Sequence, residues 1–274
     1  MTVTPSFKLT GASHEYRGGA SALAGIDLTV GEGEHVAIAG ANGSGKSTLL
    51  KMLDGLVFAS SGTVEVFGRP LTEAALDDPA FRRDFRGRVG FVFQDADVQL
   101  FCNTVFDELA FGPLQLGFAE EDVRTRVAET AELLRITPLL DRAPYTLSGG
   151  EKKRVSIASV LTLDPQVILL DEPTNALDPR SQVWLLDALA GWRAAGKTVV
   201  IATHDLSVAA ESADRLVVMG EDHRIVADGT PHEVLSQRDL LLQVNLIHEH
   251  AHRHGEGVTE HAHPHGHGQV HTHV

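Results

Sequence analysis

The sequence predicts an α/β fold with a helical insertion and a disordered tail, and three observations predict it. Short apolar runs recur between His35 and Met219, as in parallel strands covered on both faces. One of these runs ends in a glycine-rich turn that opens a helix. From about Asp95 to Leu161 the chain reads as helix with no convincing strand, and beyond about His248 apolar residues almost vanish.

Taken in order, residues 26–30 alternate apolar and polar, the pattern of a half-exposed antiparallel strand. Residues 35–39 form an apolar strand, and residues 46–53 after the glycine turn read as helix. Residues 91–93, 167–170, 198–202 and 216–219 are the other buried-strand candidates. Within the helical stretch, Val123, Val127, Ala131 and Leu134 fall on one stripe among charges, and Pro138 closes the segment. The predicted division is one domain over residues 1–247, with its helical insertion at about 95–161, and a low-complexity tail at 248–274.

Composition narrows the partners. The 274 residues hold 23 Lys and Arg against 37 Asp and Glu, a formal net charge of −14 with His counted neutral. That balance argues against a nucleic-acid binder, which would rely on basic phosphate contacts. The single cysteine, Cys102, cannot form an intrachain disulfide, and no apolar run approaches the roughly 20 residues of a membrane span. The N-terminus lacks a signal-peptide pattern. The expectation is a cytosolic chain whose membrane role, if any, comes through a separate partner.

The residues 40–48, Gly40-Ala41-Asn42-Gly43-Ser44-Gly45-Lys46-Ser47-Thr48, match G-x-x-x-x-G-K-[ST] between a strand and a helix. Glycines there let backbone N–H groups turn inward as an anion nest, and the helix N-terminus adds its dipole. Lys46 is expected to reach the β- and γ-phosphates, and Ser47 to ligate Mg²⁺. Far downstream, the run at 167–170 ends in Asp171 and Glu172. Asp171 suits Mg²⁺, directly or through water, and Glu172 suits accepting a proton from an attacking water. A third element, Leu147-Ser148-Gly149-Gly150-Glu151, opens a basic helical segment and reads as a second anion site.

Together these motifs resemble the ATP-binding-cassette ATPase family, whose signature Leu147 to Glu151 matches except that Glu151 stands where Gln is usual. The resemblance runs from about Phe7 to Leu240. It implies a phosphate-loop NTPase with a RecA-like core, an antiparallel β subdomain and an inserted helical subdomain. It implies further roles for residues that match in order. Tyr16 would stack on adenine, and Gln94 would touch Mg²⁺ or water and sense a membrane partner. Asp178, in the loop from Asn175, would meet the other subunit, and His204 would face the γ-phosphate. ATP and Mg²⁺ are then the cofactors, with Gly40, Asn42, Gly43, Ser44, Gly45, Lys46, Ser47 and Thr48 on one side of the nucleotide. Ser148 and Gly150 would close from a second copy of the chain, head to tail.

The stretch containing Val98, Leu100, Phe101, Val105 and Phe106 is expected to dock a membrane helix, and the wording around Phe93 and Phe111 resembles the ATPases of energy-coupling-factor importers. Ten histidines, His248, His250, His252, His254, His261, His263, His265, His267, His271 and His273, form the tail. Imidazole suits Zn²⁺, Cu²⁺, Ni²⁺ and Co²⁺. With the tail, the resemblance implies ATP hydrolysis energising import of a transition-metal ion. Cobalt is favoured, with nickel next, because the wording most resembles the cobalt branch, while the tail alone does not pick the metal. The site of work would be the cytoplasmic face of the membrane, beside integral coupling and substrate-binding subunits. The alternatives are the ATPase of a vitamin importer, a soluble non-transport cassette, and a metal-storage protein.

Overall fold

A computed structural model describes residues 4–175, 177–254 and 257–264 of the chain. In chain order it contains β1 (Phe7–Tyr16), β2 (Ala20–Val30), β3 (His35–Gly40), α1 (Lys46–Leu53), β4 (Ser61–Val66) and β5 (Arg69–Pro70). Then come α2 (Glu73–Asp77), α3 (Pro79–Arg88), β6 (Val89–Val92), α4 (Ala96–Gln99), α5 (Val105–Gln115), α6 (Glu120–Leu133) and α7 (Gly149–Leu161). The remainder is β7 (Val167–Asp171), α8 (Pro179–Ala194), β8 (Thr198–Thr203), α9 (Leu206–Ser212), β9 (Arg215–Met219), β10 (Ile225–Gly229), α10 (Pro231–Leu235) and α11 (Arg238–Gln243). Two last strands, β11 (Ile247–His254) and β12 (Gly257–Pro264), close the described chain.

A six-stranded sheet runs in the order β10-β9-β3-β8-β7-β6, with every pair parallel except β10 with β9. The period of 2 explains why its inner strands are apolar along their middles: each strand feeds two cores. In β7, Val167 and Leu169 join the cluster under α1 and the antiparallel sheet, while Ile168 and Leu170 join the helices on the other face. In β3, Val36 and Ile38 take the first face, and Ala37 and Ala39 pack against Leu206 and Val234 in a third cluster. The antiparallel sheet, in the order β2-β1-β4-β5, includes residues 26–30 as expected.

Between β6 and β7 the chain is helical, without a strand. Val123, Val127 and Ala131 are buried along α6. That helix stops at Leu133 because Arg135 turns left-handed (φ 56°), and the Ile136 N–H then bonds back to the Ala131 carbonyl at 2.8 Å.

Within the stretch expected to be a tail, β11 and β12 pair antiparallel, with His248 in register with His263 and His250 with His261. The His-x-His alternation that empties the segment of core residues also has the period of a strand. Of the tail histidines, His265, His267, His271 and His273 lie outside the described residues. Among those described, no helix is long and apolar enough to cross a membrane.

Candidate functional site

The parallel strands deliver the chemistry at their carboxyl ends. β3 runs into the glycine loop, β7 ends at Asp171, and β8 leads to His204; β3 and β7 both pair with β8. The loop conformation needs its glycines. Gly45 has φ 109°, and a Cβ there would lie 2.3 Å from the Ala22 carbonyl oxygen. A Cβ on Gly40 would lie 2.5 Å from Ser44 Oγ. Gly45 is also the N-terminal flank of α1, and no side chain caps that helix. Its first-turn N–H groups therefore remain available for an anion.

Lys46, only 6% exposed, donates from Nζ to the carbonyls of Gly40 (2.8 Å) and Ala41 (3.2 Å), and lies 3.7 Å from Glu172 Oε1. Burial lowers its pKa, while Glu172 and then Asp171 oppose that shift. Ser47 Oγ donates to Asp171 Oδ1 at 2.9 Å. Burial raises the Asp171 carboxyl, and the Ser47 bond works against it. A hydroxyl beside a carboxylate is a hard oxygen set, which fits Mg²⁺ held by one or two protein oxygens and substrate phosphates.

Glu172 is buried and adopts a left-handed φ of 43°, unusual for a residue with a side chain, while its N–H bonds to the Ala202 carbonyl at 2.9 Å. That strained turn sends its second carboxylate oxygen, Oε2, to His204, 2.9 Å from Nδ1. One carboxylate thus faces both Lys46 and His204.

These side chains border a cleft of about 500 Å³ lined by Tyr16, Asn42, Gly43, Gly45, Lys46, Ser47, Thr48, Gln94, Glu172 and His204. Tyr16 is 42% exposed, and its hydroxyl lies 3.1 Å from Thr48 Oγ1. Gly40, Ser44 and Asp171 are buried and do not line the cleft, Asp171 reaching it through its bond from Ser47. Sequence reasoning missed Ser21, Ala22 and His223, which also line the cleft. No motif marks His223; its ring Nδ1 lies 3.2 Å from the Ser44 carbonyl, and its own φ is 63°.

Ser148, Gly150 and Asp178 are not among the cleft residues. Ser148 is exposed at the start of α7, where a capping box ties it to Glu151: the Ser148 N–H and hydroxyl both donate to Glu151 Oε2, at 2.8 and 2.9 Å. Those bonds hold the Glu151 carboxyl below its usual range. Asp178 caps α8, accepting from the Ser181 N–H at 2.8 Å. A single chain therefore presents its phosphate loop and its signature residues in separate places.

The expected docking stretch divides. Val98 and Phe101 are 68% and 66% exposed, whereas Leu100 and Val105 belong to the core between the sheet and the helices. Phe101 stacks edge-on with half-exposed Phe111, their centroids 5.0 Å apart.

A parallel sheet with a glycine loop, a lysine, and paired carboxylates at its carboxyl edge defines a phosphate-loop nucleotide-binding protein. The ABC transporter family matches residues 23–175, and the chain belongs to that family. It is 51% identical to the nickel import ATP-binding protein NikO of Rhodobacter capsulatus, over 89% of this chain and 97% of that one. The cobalt import ATP-binding protein CbiO of the same organism is 44% identical over 89% and 85%. Among solved structures, cbiO1 from Clostridium perfringens, part of the transporter complex cbiONQ, superposes with a TM-score of 0.75 at 35% identity, covering 89% of this chain and 95% of that one. Dimeric cassettes are also among its structural neighbours. The chain is an ATP hydrolase whose reaction is coupled to transport.

Proposed function

We propose that this protein is the ATP-hydrolysing subunit of an importer for a transition-metal ion, cobalt or nickel, working through separate membrane subunits. The observation that carries the reading is the cleft lined by Lys46, Ser47, Glu172 and His204, with Asp171 accepting from Ser47 Oγ, in a chain half identical to a nickel import ATPase. The cobalt import relative supports the other metal. Exposed Val98 and Phe101 are the surface offered to a membrane subunit, and the chain would sit at the cytoplasmic face of that assembly.

The nucleoside triphosphate would enter against the N–H groups of the loop, with half-exposed Tyr16 of the cleft lining offered to the base. Lys46 exchanges its loop carbonyls for phosphate oxygens. Mg²⁺, when bound, neutralises phosphate charge, and Ser47, Asp171 and Gln94 would hold it. Glu172 takes the proton of the attacking water, and His204 fixes the carboxylate through Oε2. Ser148 and Gly150 of a second copy would cover the γ-phosphate, because they lie outside the cleft of their own chain. The chain's working form would then be a head-to-tail pair. The tail at 248–274 would hold Co²⁺ or Ni²⁺ through its imidazoles.

Reconstitution with its membrane subunits in vesicles, followed by uptake of labelled Co²⁺, Ni²⁺ and a vitamin, tests the reading. ATP-dependent accumulation of either metal is expected. Vitamin uptake without metal uptake would replace the metal reading with the vitamin one, and no ATP-dependent uptake of any solute would remove transport of these classes.

A further inference from the structure

Lys153 lies on α7, one turn beyond the Ser148 cap, and is only 3% exposed. Its ammonium donates to the carbonyl oxygens of Phe93 (3.1 Å) and Gln94 (2.9 Å). Those two residues follow β6 immediately, where the ladder to β7 has ended at the Val92–Leu170 pair. Their backbone groups need partners from elsewhere. The Phe93 N–H finds one in Gln99 Oε1 at 3.1 Å, and Gln99 Nε2 in turn donates to the Ser156 carbonyl (2.7 Å) and Ser159 Oγ (3.1 Å), both on α7. Lys152 adds an ion pair to Asp97. The segment carrying Gln94 is thus bonded to α7 at several points.

A buried ammonium costs free energy unless it is fully used. Burial draws the Lys153 pKa down to about 8, while Asp171 and Asp95 favour its charged form. An apolar side chain would fill the same space without that penalty, but would leave two carbonyls unbonded. Gln94 itself is exposed and lines the nucleotide cleft, which Lys153 does not touch.

We propose that Lys153 is a positioning residue for ATP hydrolysis: it ties the backbone of Gln94 to α7, so that the helix opened by Ser148 sets where the Gln94 side chain stands in the cleft. The proposal rests on the reading of Gln94 as part of the hydrolytic site. Because Lys153 acts through Gln94, its loss lowers kcat and leaves nucleotide binding intact.

The test uses the full chain and compares Lys153→Met, Gln94→Ala and the double variant for kcat, KM and thermal unfolding midpoint. Lys153→Met is expected to lower kcat about 10- to 100-fold, the scale of a displacement of about 1 Å in a site, with KM changed less than about 2-fold. The double variant is expected to be no slower than Gln94→Ala alone, the mark of two residues acting in series. Wild-type kcat in a folded Lys153→Met, beside an impaired Gln94→Ala, overturns the proposal alone. Wild-type kcat in Gln94→Ala overturns the reading of Gln94 and the proposal with it. Losses that multiply in the double variant, or a rise in KM that accounts for the defect, also overturn it. Should Lys153→Met not fold, Gln99→Leu cuts the other tie between Phe93 and α7; a kcat loss at unchanged KM is expected there too, and wild-type kcat overturns the proposal.

Discussion

Replacing Glu172 by Gln separates the two tasks that the geometry gives this carboxylate. One oxygen faces Lys46 Nζ at 3.7 Å, and the other lies 2.9 Å from His204 Nδ1. At an effective dielectric of about 20, the Lys46 pair corresponds to a Coulomb attraction of about 4 kcal/mol. Desolvation of two groups this buried offsets much of that. Glutamine keeps the shape and a hydrogen bond to His204, but has no carboxylate to take a proton. Losing a general base of this kind costs about 10²- to 10⁴-fold in rate, or about 3 to 5 kcal/mol of barrier. The effect on binding has the opposite sign. Without the competing carboxylate, Lys46 is freer to meet phosphate, so ATP affinity should hold or rise. Phosphate release under single-turnover conditions, a fluorescence titration of ATP, and gel filtration with ATP measure the three consequences: slow chemistry, retained binding, and accumulated closed dimers. Hydrolysis within about 3-fold of the unaltered protein would refute the base assignment. A parallel collapse of ATP affinity would instead show that the substitution had damaged the cleft.

Three further outcomes are expected. Lys46→Ala removes a charge-assisted bond to phosphate worth about 1.5–3 kcal/mol, so a non-hydrolysable ATP analogue should bind about 10- to 100-fold more weakly by calorimetry. Burial raises the Asp54 carboxyl to about 6 even with Arg86 Nη1 at 2.9 Å. Below pH 4 both folded and unfolded chains hold that proton. From about pH 4 to 6 the unfolded chain releases it first, so stability falls by about 3 kcal/mol across the window and is level above it. Asp54→Asn should remove that slope from denaturant midpoints measured against pH, and an unchanged slope would assign it to another group. Deleting residues 248–274 should leave basal hydrolysis unchanged while removing most Co²⁺ or Ni²⁺ binding; full binding by the truncated chain would exclude the tail as the metal site.

The parts of the fold legible in the sequence are those buried on both sides. β3, β7, β8 and β9 announce themselves because each residue of a doubly covered strand meets a core, so the apolar run is unbroken. β1 does not. Its register shifts three times against β2, and Gly11 turns to φ 55° within it, which scrambles the alternation. β4 begins with three exposed residues and also escapes notice. The phosphate loop was legible as a local string, since its chemistry is carried by consecutive backbone N–H groups. The contact of Glu172 with His204 spans 32 residues and depends on β7 and β8 pairing, so the sequence supplied the residues and the sheet supplied the geometry. Lys153 and His223 had no sequence signal at all, because their partners are backbone carbonyls of distant segments.

The bare start of α1 has a consequence for how the molecule holds together. α7, α8, α9 and α10 each begin with a Ser, Asp or Thr whose side-chain oxygen accepts from one or two first-turn N–H groups. α1 begins with Gly45 and has no such partner of its own, a lack it shares with α6 and α11. On the proposed reading the phosphates of ATP would supply the missing cap, and the substrate would become a structural component of the helix it reacts beside. At a hundredfold excess over its dissociation constant, such a ligand adds about 2.7 kcal/mol to folding. Each turnover would withdraw part of that support as the products leave, making the catalytic loop the segment whose order is renewed with every nucleotide.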